Sequence, residues 1–426
     1  MHTLISIALL ALGALALCVT WLTLAVNTEA NHQDRVPSIP RASDDLDGFL
    51  RAVEGAAGGT LTEGNRVDVY QNGDAIFPPM LDAIDSARET VHLATYIYWN
   101  GAIPDAFTAA LVAAAARGVV VRIALDSEGS SRLAKETRRR LTDAGCALVW
   151  FRRAQWFDFT KYNRRSHRRL LVVDGRVAFT GGAGMADLWR GDADAPAHWR
   201  DTHVRVEGPA VAALQAGFTD TWNLCTGELL LAGRDYPPLE AAGTVRVLPV
   251  LSTPTGGASP AQRTYAACIA GATRSLSISN AYFVPTPAFV DALVAARRRG
   301  VRVAILVPGP YHNKPAVRRA SRRTWKGLLA AGVALYEFQP TMIHAKTMIV
   351  DGLIHVVGSI NFDPRSLSLN AEGAVLTIDE NLAAEAESVF AADLARSRRV
   401  TMEEVATLGV VDRVLDAACW WFRAQL

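Results

Sequence analysis

Two segments of this chain carry the same residue types at the same spacing. In the first, His167-Arg168-Arg169 leads into Leu170–Val173 and then Asp174-Gly175. In the second, His344-Ala345-Lys346 leads into residues 347–350 and then Asp351-Gly352. Each continues into another short apolar run and a small-residue turn, Gly181-Gly182 or Gly358-Ser359. Matched spacing on both sides of each Asp is the mark of an internal duplication, and a duplicated chain folds as two similar units.

The local pattern gives the repeat a physical meaning. Residues 170–173 and 177–179 are apolar and rich in β-branched side chains, with Asp174-Gly175 between them. That reads as a strand, a tight turn and a second strand. Residues 348–350 and 354–357 repeat it around Asp351-Gly352. Side chains alternate along a strand, so His167 shares a face with Arg169, and His344 with Lys346. Each half presents an imidazole beside a cation. A site built from both halves holds two of each, which suits a phosphodiester.

The duplication extends upstream. Residues 107–125 and 289–307 both read as an alanine-rich helix, a stop at Gly118 or Gly300, and an apolar strand. Matching strands precede them at 91–98 and 276–284. Strands alternating with helices predict a mainly parallel sheet covered by helices. The fold class is α/β: two similar mixed-sheet halves packed as an internal pseudo-dimer, with the site on the pseudo-twofold. The predicted boundaries are 1–26 for a transmembrane anchor, 27–48 for a polar linker, 49–236 and 237–398 for the repeats, and 399–426 for a C-terminal amphipathic helix.

The chain is long enough for two cores. A net charge of +2 argues against a nucleic-acid partner. Cys18, Cys146, Cys225, Cys268 and Cys419 are scattered, without metal-ligand spacing, and read as reduced thiols. Residues 3–26 contain no charged side chain and are dominated by Leu, Ala, Ile and Val, long enough for a membrane-spanning helix. A cleaved signal peptide is the rival reading, but no basic region precedes the apolar stretch. Arg35 and Arg41 follow it, which places the catalytic body in the cytoplasm by the positive-inside rule.

These residues resemble the phospholipase D superfamily, with its paired H-x-K-x4-D motifs, and within it the bacterial cardiolipin synthase-like branch. The resemblance spans about 66–398. It includes Trp199-Arg200-Asp201-Thr202-His203, Glu207-Gly208-Pro209, residues 336–340, and residues 361–366 running on to Asn370 and Glu372. It implies a membrane-bound phosphatidyltransferase that splits the transfer of a phosphatidyl group into two steps through a phosphohistidine. The implied catalytic set is His167, Arg169, Asp174, His344, Lys346 and Asp351. His167 is the implied nucleophile and His344 the acid and base. Lys346, Ser359 and Asn361 are implied to contact the phosphate. Asp201 is implied to orient the first histidine and Glu372 the second. For Asp174 and Asp351 a structural role stands beside the catalytic one, because Asp-Gly turns are common. The implied substrate is phosphatidylglycerol or a related phospholipid at the membrane, with no cofactor, no metal and no obligatory oligomer.

Two positions depart from the pattern. Arg169 stands where the family usually has Lys, and a planar guanidinium is not equivalent to an ammonium. Gly184 stands where many members have Asn, aligned with Asn361 in the second half. A reshaped pocket that admits the larger guanidinium is one reading. A weakly active lipid-binding scaffold is another, and a hydrolytic phosphodiesterase a third. Residues 151–165 interleave aromatic and basic side chains, as a membrane-facing loop or as a cap on the domain. The basic run 318–326 reads as a solvated helix face. Thr401 and Glu404 form a capping-box pattern, and Trp420-Trp421-Phe422 ends the chain as an interfacial anchor or as core packing. His203, beside Asp201, is a further candidate for the site.

Overall fold

The computed structural model describes residues 13, 45–152, 163–254 and 258–426. The predicted anchor, apart from Gly13, nearly all of the linker, and residues 153–162 lie outside them. Among the described residues no helix is long and apolar enough to cross a membrane. Cys146, Cys225, Cys268 and Cys419 are free thiols.

The first half contributes β1 (Thr62–Gln71), β2 (Thr90–Thr95), β3 (Val120–Asp126), β4 (Ala147–Phe151), β5 (Leu170–Val173), β6 (Val177–Gly181) and β7 (Thr202–Glu207). The second contributes β8 (Val245–Ser252), β9 (Ser275–Asn280), β10 (Arg302–Pro308), β11 (Ala334–Phe338), β12 (Lys346–Val350), β13 (Ile354–Gly358), β14 (Glu372–Ile378) and β15 (Ser397–Arg399). All join one sheet. At its centre β1 pairs with β8, antiparallel. Outward from that pair the order is β1-β7-β6-β5-β2-β3-β4 on one side. On the other it is β8-β14-β13-β12-β9-β10-β11, with β15 at the edge. The two halves are thus laid out as mirror sequences about the β1–β8 seam, as the duplication predicts.

The expectation of a mainly parallel sheet does not hold. Among the described strands, parallel ladders occur only in β2-β3-β4 and β9-β10-β11. These parallel strands are joined by helices, Ala102–Ala116 and Lys135–Asp143 in the first half and Pro287–Arg298 and Pro315–Ala330 in the second. The inner strands pair antiparallel, and β5–β6 and β12–β13 do so through tight hairpins. Asp174-Gly175 and Asp351-Gly352 make the hairpins, with φ of 51° and 59° in one and 56° and 64° in the other. Two successive left-handed residues are what a type I′ turn requires.

The helix Leu46–Ala57 is capped by Asp45 and buries Phe49, Leu50 and Val53 in the core of the second half. It packs so closely on the helix Pro260–Gly271 that a Cβ at Gly271 would lie 2.0 Å from the Phe49 ring. The start of the first repeat is therefore built into the second. The C-terminal segment forms two helices, Met402–Ala406 and Val410–Trp421, rather than one. The first opens with the Thr401–Glu404 capping box. The second sets Asp412 3.0 Å from Arg319 and Asp416 2.6 Å from Arg322. Part of the basic run is thus paired across helices rather than solvated.

His92, His203 and His355 sit on β2, β7 and β13 and are buried. Burial, which penalises the charged imidazolium, holds all three down at about 4. Above the ordinary histidine value of about 6.5 these groups are neutral in both the folded and the unfolded chain. Below it the unfolded chain takes up protons first, so stability falls with pH. Each group steepens the fall by up to about 1.4 kcal/mol per pH unit until its folded value is reached. The urea midpoint should therefore decline steadily from pH 7 to pH 5. A midpoint that stays level over that interval would contradict neutral burial of these rings.

Candidate active site

Both reactive segments lie just ahead of their strands, His167 before β5 and His344 before β12. Backbone bonds hold them there. The His167 N–H donates to the Ala371 carbonyl at 2.8 Å, and the His344 N–H to the Arg200 carbonyl at 2.6 Å. Each acceptor is the residue immediately before a buried carboxylate of the opposite half, Glu372 or Asp201. Parallel bridges between Ser166 and Ala371 and between Arg200 and Ile343 complete the junction.

The side chains follow the backbone. Nδ1 of His167 is 3.0 Å from both Glu372 carboxylate oxygens, and Nδ1 of His344 is 2.8 Å from Asp201 Oδ2. The sequence assignment is therefore reversed: Glu372 orients the first histidine and Asp201 the second. The family resemblance implies that each acid serves its own half. The strand-like junction instead carries each motif across the pseudo-twofold to the other half's acid.

Both imidazoles line one cavity of about 310 Å³, together with Arg169 and Asn361. Tyr96 and Trp99 from the first half and Tyr282, Lys314 and Asp363 from the second form much of its wall. Arg169 places Nη2 3.1 Å from His167 Nε2, and its buried Nε has no hydrogen-bond partner among the described residues. Lys346 places Nζ 3.0 Å from His344 Nε2. Each motif's cation thus lies against its own imidazole: Lys346 Nζ is also 2.8 Å from His344 Nδ1, and Arg169 Nη1 3.5 Å from His167 Nδ1.

Electrostatics follow from this burial. Burial lowers His167 to about 4, with Glu372 opposing and Arg169 adding to the shift. Burial and then Lys346 lower His344 to about 3 against the pull of Asp201. Burial also lowers Arg169 and, more strongly, Lys346 from their ordinary values. For Asp201, burial pushes upward, but His344 and Lys346 outweigh it and the carboxyl stays below the usual range. Burial raises Asp363 to about 6.

Other candidates fall elsewhere. Asp174 accepts bonds from the Arg88, Glu89 and Thr90 amides, and Asp351 from the Thr273, Arg274 and Ser275 amides. These carboxylates fasten each hairpin to the entry of β2 or β9, at the opposite ends of the strands from the histidines. Their placement in the catalytic set is corrected to a structural role. Ser359 is fully buried and donates to Glu372 Oε2 at 2.5 Å. His203 does not line the cavity; it packs against Gly181, where a Cβ would come within 2.4 Å of its ring.

Gly184 makes room, but not for Arg169. A Cβ there would lie 3.0 Å from Ile97 and 3.1 and 3.2 Å from the Trp189 ring. Trp189 fills the space. It is fully buried, donates Nε1–H to Asp201 Oδ2 at 2.7 Å, and meets the His344 ring edge-on at 5.2 Å. The sequence reading missed it. The available signal was a paired swap between the halves, in which Asn361 and Ser366 of one copy correspond to Gly184 and Trp189 of the other.

The chain matches the family model for the cardiolipin synthase, phospholipase D-like domain over residues 80–188 and 265–394. A cardiolipin synthase of Oceanobacillus iheyensis is 33% identical, over 80% of this chain and 71% of its own length. Cardiolipin synthase A of Pseudomonas putida is likewise 33% identical over the same shares of the two chains. The crystal structure of phosphatidylserine synthase from Haemophilus influenzae superposes with a TM-score of 0.65, covering 89% of this chain and all of that one. At 12% identity, that likeness bears on the fold alone.

The crossed pairing makes a specific prediction. Asp201→Asn should perturb the titration of His344 and leave that of His167 nearly unchanged, and Glu372→Gln should do the converse. Histidine-selective NMR reads both. Each variant should lose roughly 100-fold or more in kcat with little change in KM, because the acids act on the imidazoles rather than on substrate.

Proposed function

The chain belongs to the cardiolipin synthase, phospholipase D-like family, and on that premise we propose a membrane-bound phosphatidyltransferase working through a phosphohistidine. The supporting observation is the paired constellation: two imidazoles lining one cavity, each with Nδ1 against a buried carboxylate, with Arg169 in the cavity wall and Lys346 against the second ring. A carboxylate on Nδ1 fixes the tautomer and leaves Nε2 as the reactive atom.

Charge bookkeeping favours an anionic diester. With neutral imidazoles, Arg169 and Lys346 balance Asp201 and Glu372. A bound phosphodiester adds one negative charge, which favours a proton on one of two rings otherwise held neutral by burial. The site then contains one neutral and one protonated histidine, as two-step transfer requires. His167 Nε2 attacks phosphorus, and His344 Nε2–H protonates the leaving alcohol. Arg169, Lys346 and Asn361 hold the nonbridging oxygens. An incoming alcohol then gives its proton to His344 and displaces His167.

The cavity suits a headgroup and glyceryl phosphate better than acyl chains, since 310 Å³ is at the small end for ligand pockets. The chains then remain in the bilayer. An exposed apolar stripe on the helix Val410–Trp421 supports that placement: Val410, Val411 and Val414 are 76%, 72% and 62% exposed. The uncharged residues 3–26 support an N-terminal anchor. The proposed donor and acceptor are phosphatidylglycerol or a related phospholipid.

Purified protein incubated with phosphatidylglycerol should yield cardiolipin and glycerol by lipid mass spectrometry, and added EDTA should leave turnover intact. Phosphatidic acid as the dominant product would instead identify a hydrolase. His167→Ala and His344→Ala should each reduce turnover by about four orders of magnitude or more. With a labelled donor carrying a good leaving group, His344→Ala should retain a phosphatidyl label on the chain and His167→Ala should not. The opposite pattern would exchange the two roles.

A further inference from the structure

The two orienting carboxylates do not have equivalent support. Glu372 receives a hydroxyl bond from Ser359. The corresponding position in the other half is Gly182, which has no side chain to offer, and a Cβ there would lie 2.0 Å from Asp201 Oδ1. Asp201 Oδ1 instead accepts the Thr202 N–H at 2.8 Å. Its Oδ2 is shared between His344 Nδ1 at 2.8 Å and Trp189 Nε1 at 2.7 Å. An indole N–H is a donor only, so Trp189 can neither accept a proton from Asp201 nor replace it.

We propose that Trp189 is a positioning residue whose indole N–H shares Asp201 Oδ2 with His344 and sets how tightly that ring holds its transferable proton. This role of Trp189 rests on His344 serving as the acid and base of the proposed function. In the first step a lone pair on His167 Nε2 forms the N–P bond. The P–O bond to the leaving alcohol breaks, and its oxygen takes the proton from His344 Nε2. In the second step the acceptor hydroxyl returns a proton to His344 as the new O–P bond forms and the N–P bond breaks. A carboxylate whose charge is partly engaged by the indole stabilises the imidazolium less, so His344 releases its proton more readily. Trp189 acts on that balance without touching substrate. Its ring is held by Gly184 on one side and by Trp199, at 4.9 Å, on another.

The other groups facing His344 remain in place when the indole is replaced by phenyl. They are Asp201, Lys346 and Arg169, which carry charge, and the Trp199 and Tyr282 rings at 5.3 and 6.1 Å. Trp189→Phe keeps an aromatic ring and removes the donor. The alkaline limb of the kcat profile, where the imidazolium is lost, should then move up by about half a unit to one unit, the scale of one neutral hydrogen bond. The substrate for this arm is phosphatidylglycerol, whose alkoxide leaving group needs the proton. A p-nitrophenyl phosphodiester needs none, and its burst of p-nitrophenol should change by less than twofold.

Equal losses on both substrates with an unmoved alkaline limb would reduce Trp189 to a packing residue and overturn the proposal. Unchanged profiles would do the same. If Trp189→Phe fails to fold, Gly184→Ala supplies the second test. Its methyl presses on the indole and should produce a smaller shift in the same direction, and no shift counts against the idea. The limb is read equally well from transfer or from hydrolysis. A wild-type chain that only hydrolyses would therefore defeat the acceptor assignment above and still test Trp189.

Discussion

Each reactive imidazole is oriented by a carboxylate that belongs to the other half of the chain. This places a demand on everything around it. Neither half can hold its own histidine in the productive tautomer, so the two must meet in a fixed register. The sheet supplies that register through the β1–β8 seam and through the backbone bonds from His167 to Ala371 and from His344 to Arg200. The mirrored strand order follows, because only an arrangement with twofold character brings both motifs to the same cavity while sending each acid across it. The helix Leu46–Ala57, buried in the opposite core, fastens the halves at a second place.

Burying so many charges has a cost that the fold offsets locally. Arg168 points away from the cavity, opposite to its neighbours His167 and Arg169, as strand alternation requires. Its guanidinium bonds the Gly217 and Ser252 carbonyls, Thr221 and Asp220, from the helix Val211–Thr226 and the end of β8. A buried cation satisfied this fully rigidifies the junction where the halves join. Arg169 is left differently, with an unpartnered Nε and its remaining nitrogens near His167. The fully satisfied arginine is a structural clamp, and the incompletely satisfied one faces the cavity where an anion would complete its shell.

The repeats, their boundaries in strands β5, β6, β12 and β13, and the histidine–cation pairs were legible because each rests on short-range spacing. So were the Gly118 and Gly300 helix stops, where the left-handed backbone is a local demand. Pairing direction was less so, since alternation of helices and strands describes only the outer strands of each half. The exchange of Asp201 and Glu372 was hidden for a different reason. A resemblance read motif by motif keeps each acid with the histidine of its own half, but contact across a twofold joins different halves. Asp174 and Asp351 show the converse problem: residues central to a recurrent motif serve the turn rather than the chemistry. Trp189 was invisible as a single residue and is intelligible only with Gly184, which clears space for its ring, and Gly182, which lets Asp201 approach.

The mirrored halves would be interchangeable in a dimer of identical subunits, and both imidazoles would then share one environment. Joining them in a single polypeptide removes that constraint. One copy can keep Asn361, Ser366 and Lys346 while the other becomes Gly184, Trp189 and Arg169, without a second, unwanted change appearing across the axis. Covalent fusion therefore turns a symmetric cavity into one with a left and a right. In such a cavity natural variation can specialise the two histidines independently, and an approaching ligand meets two different walls that can fix its direction of entry.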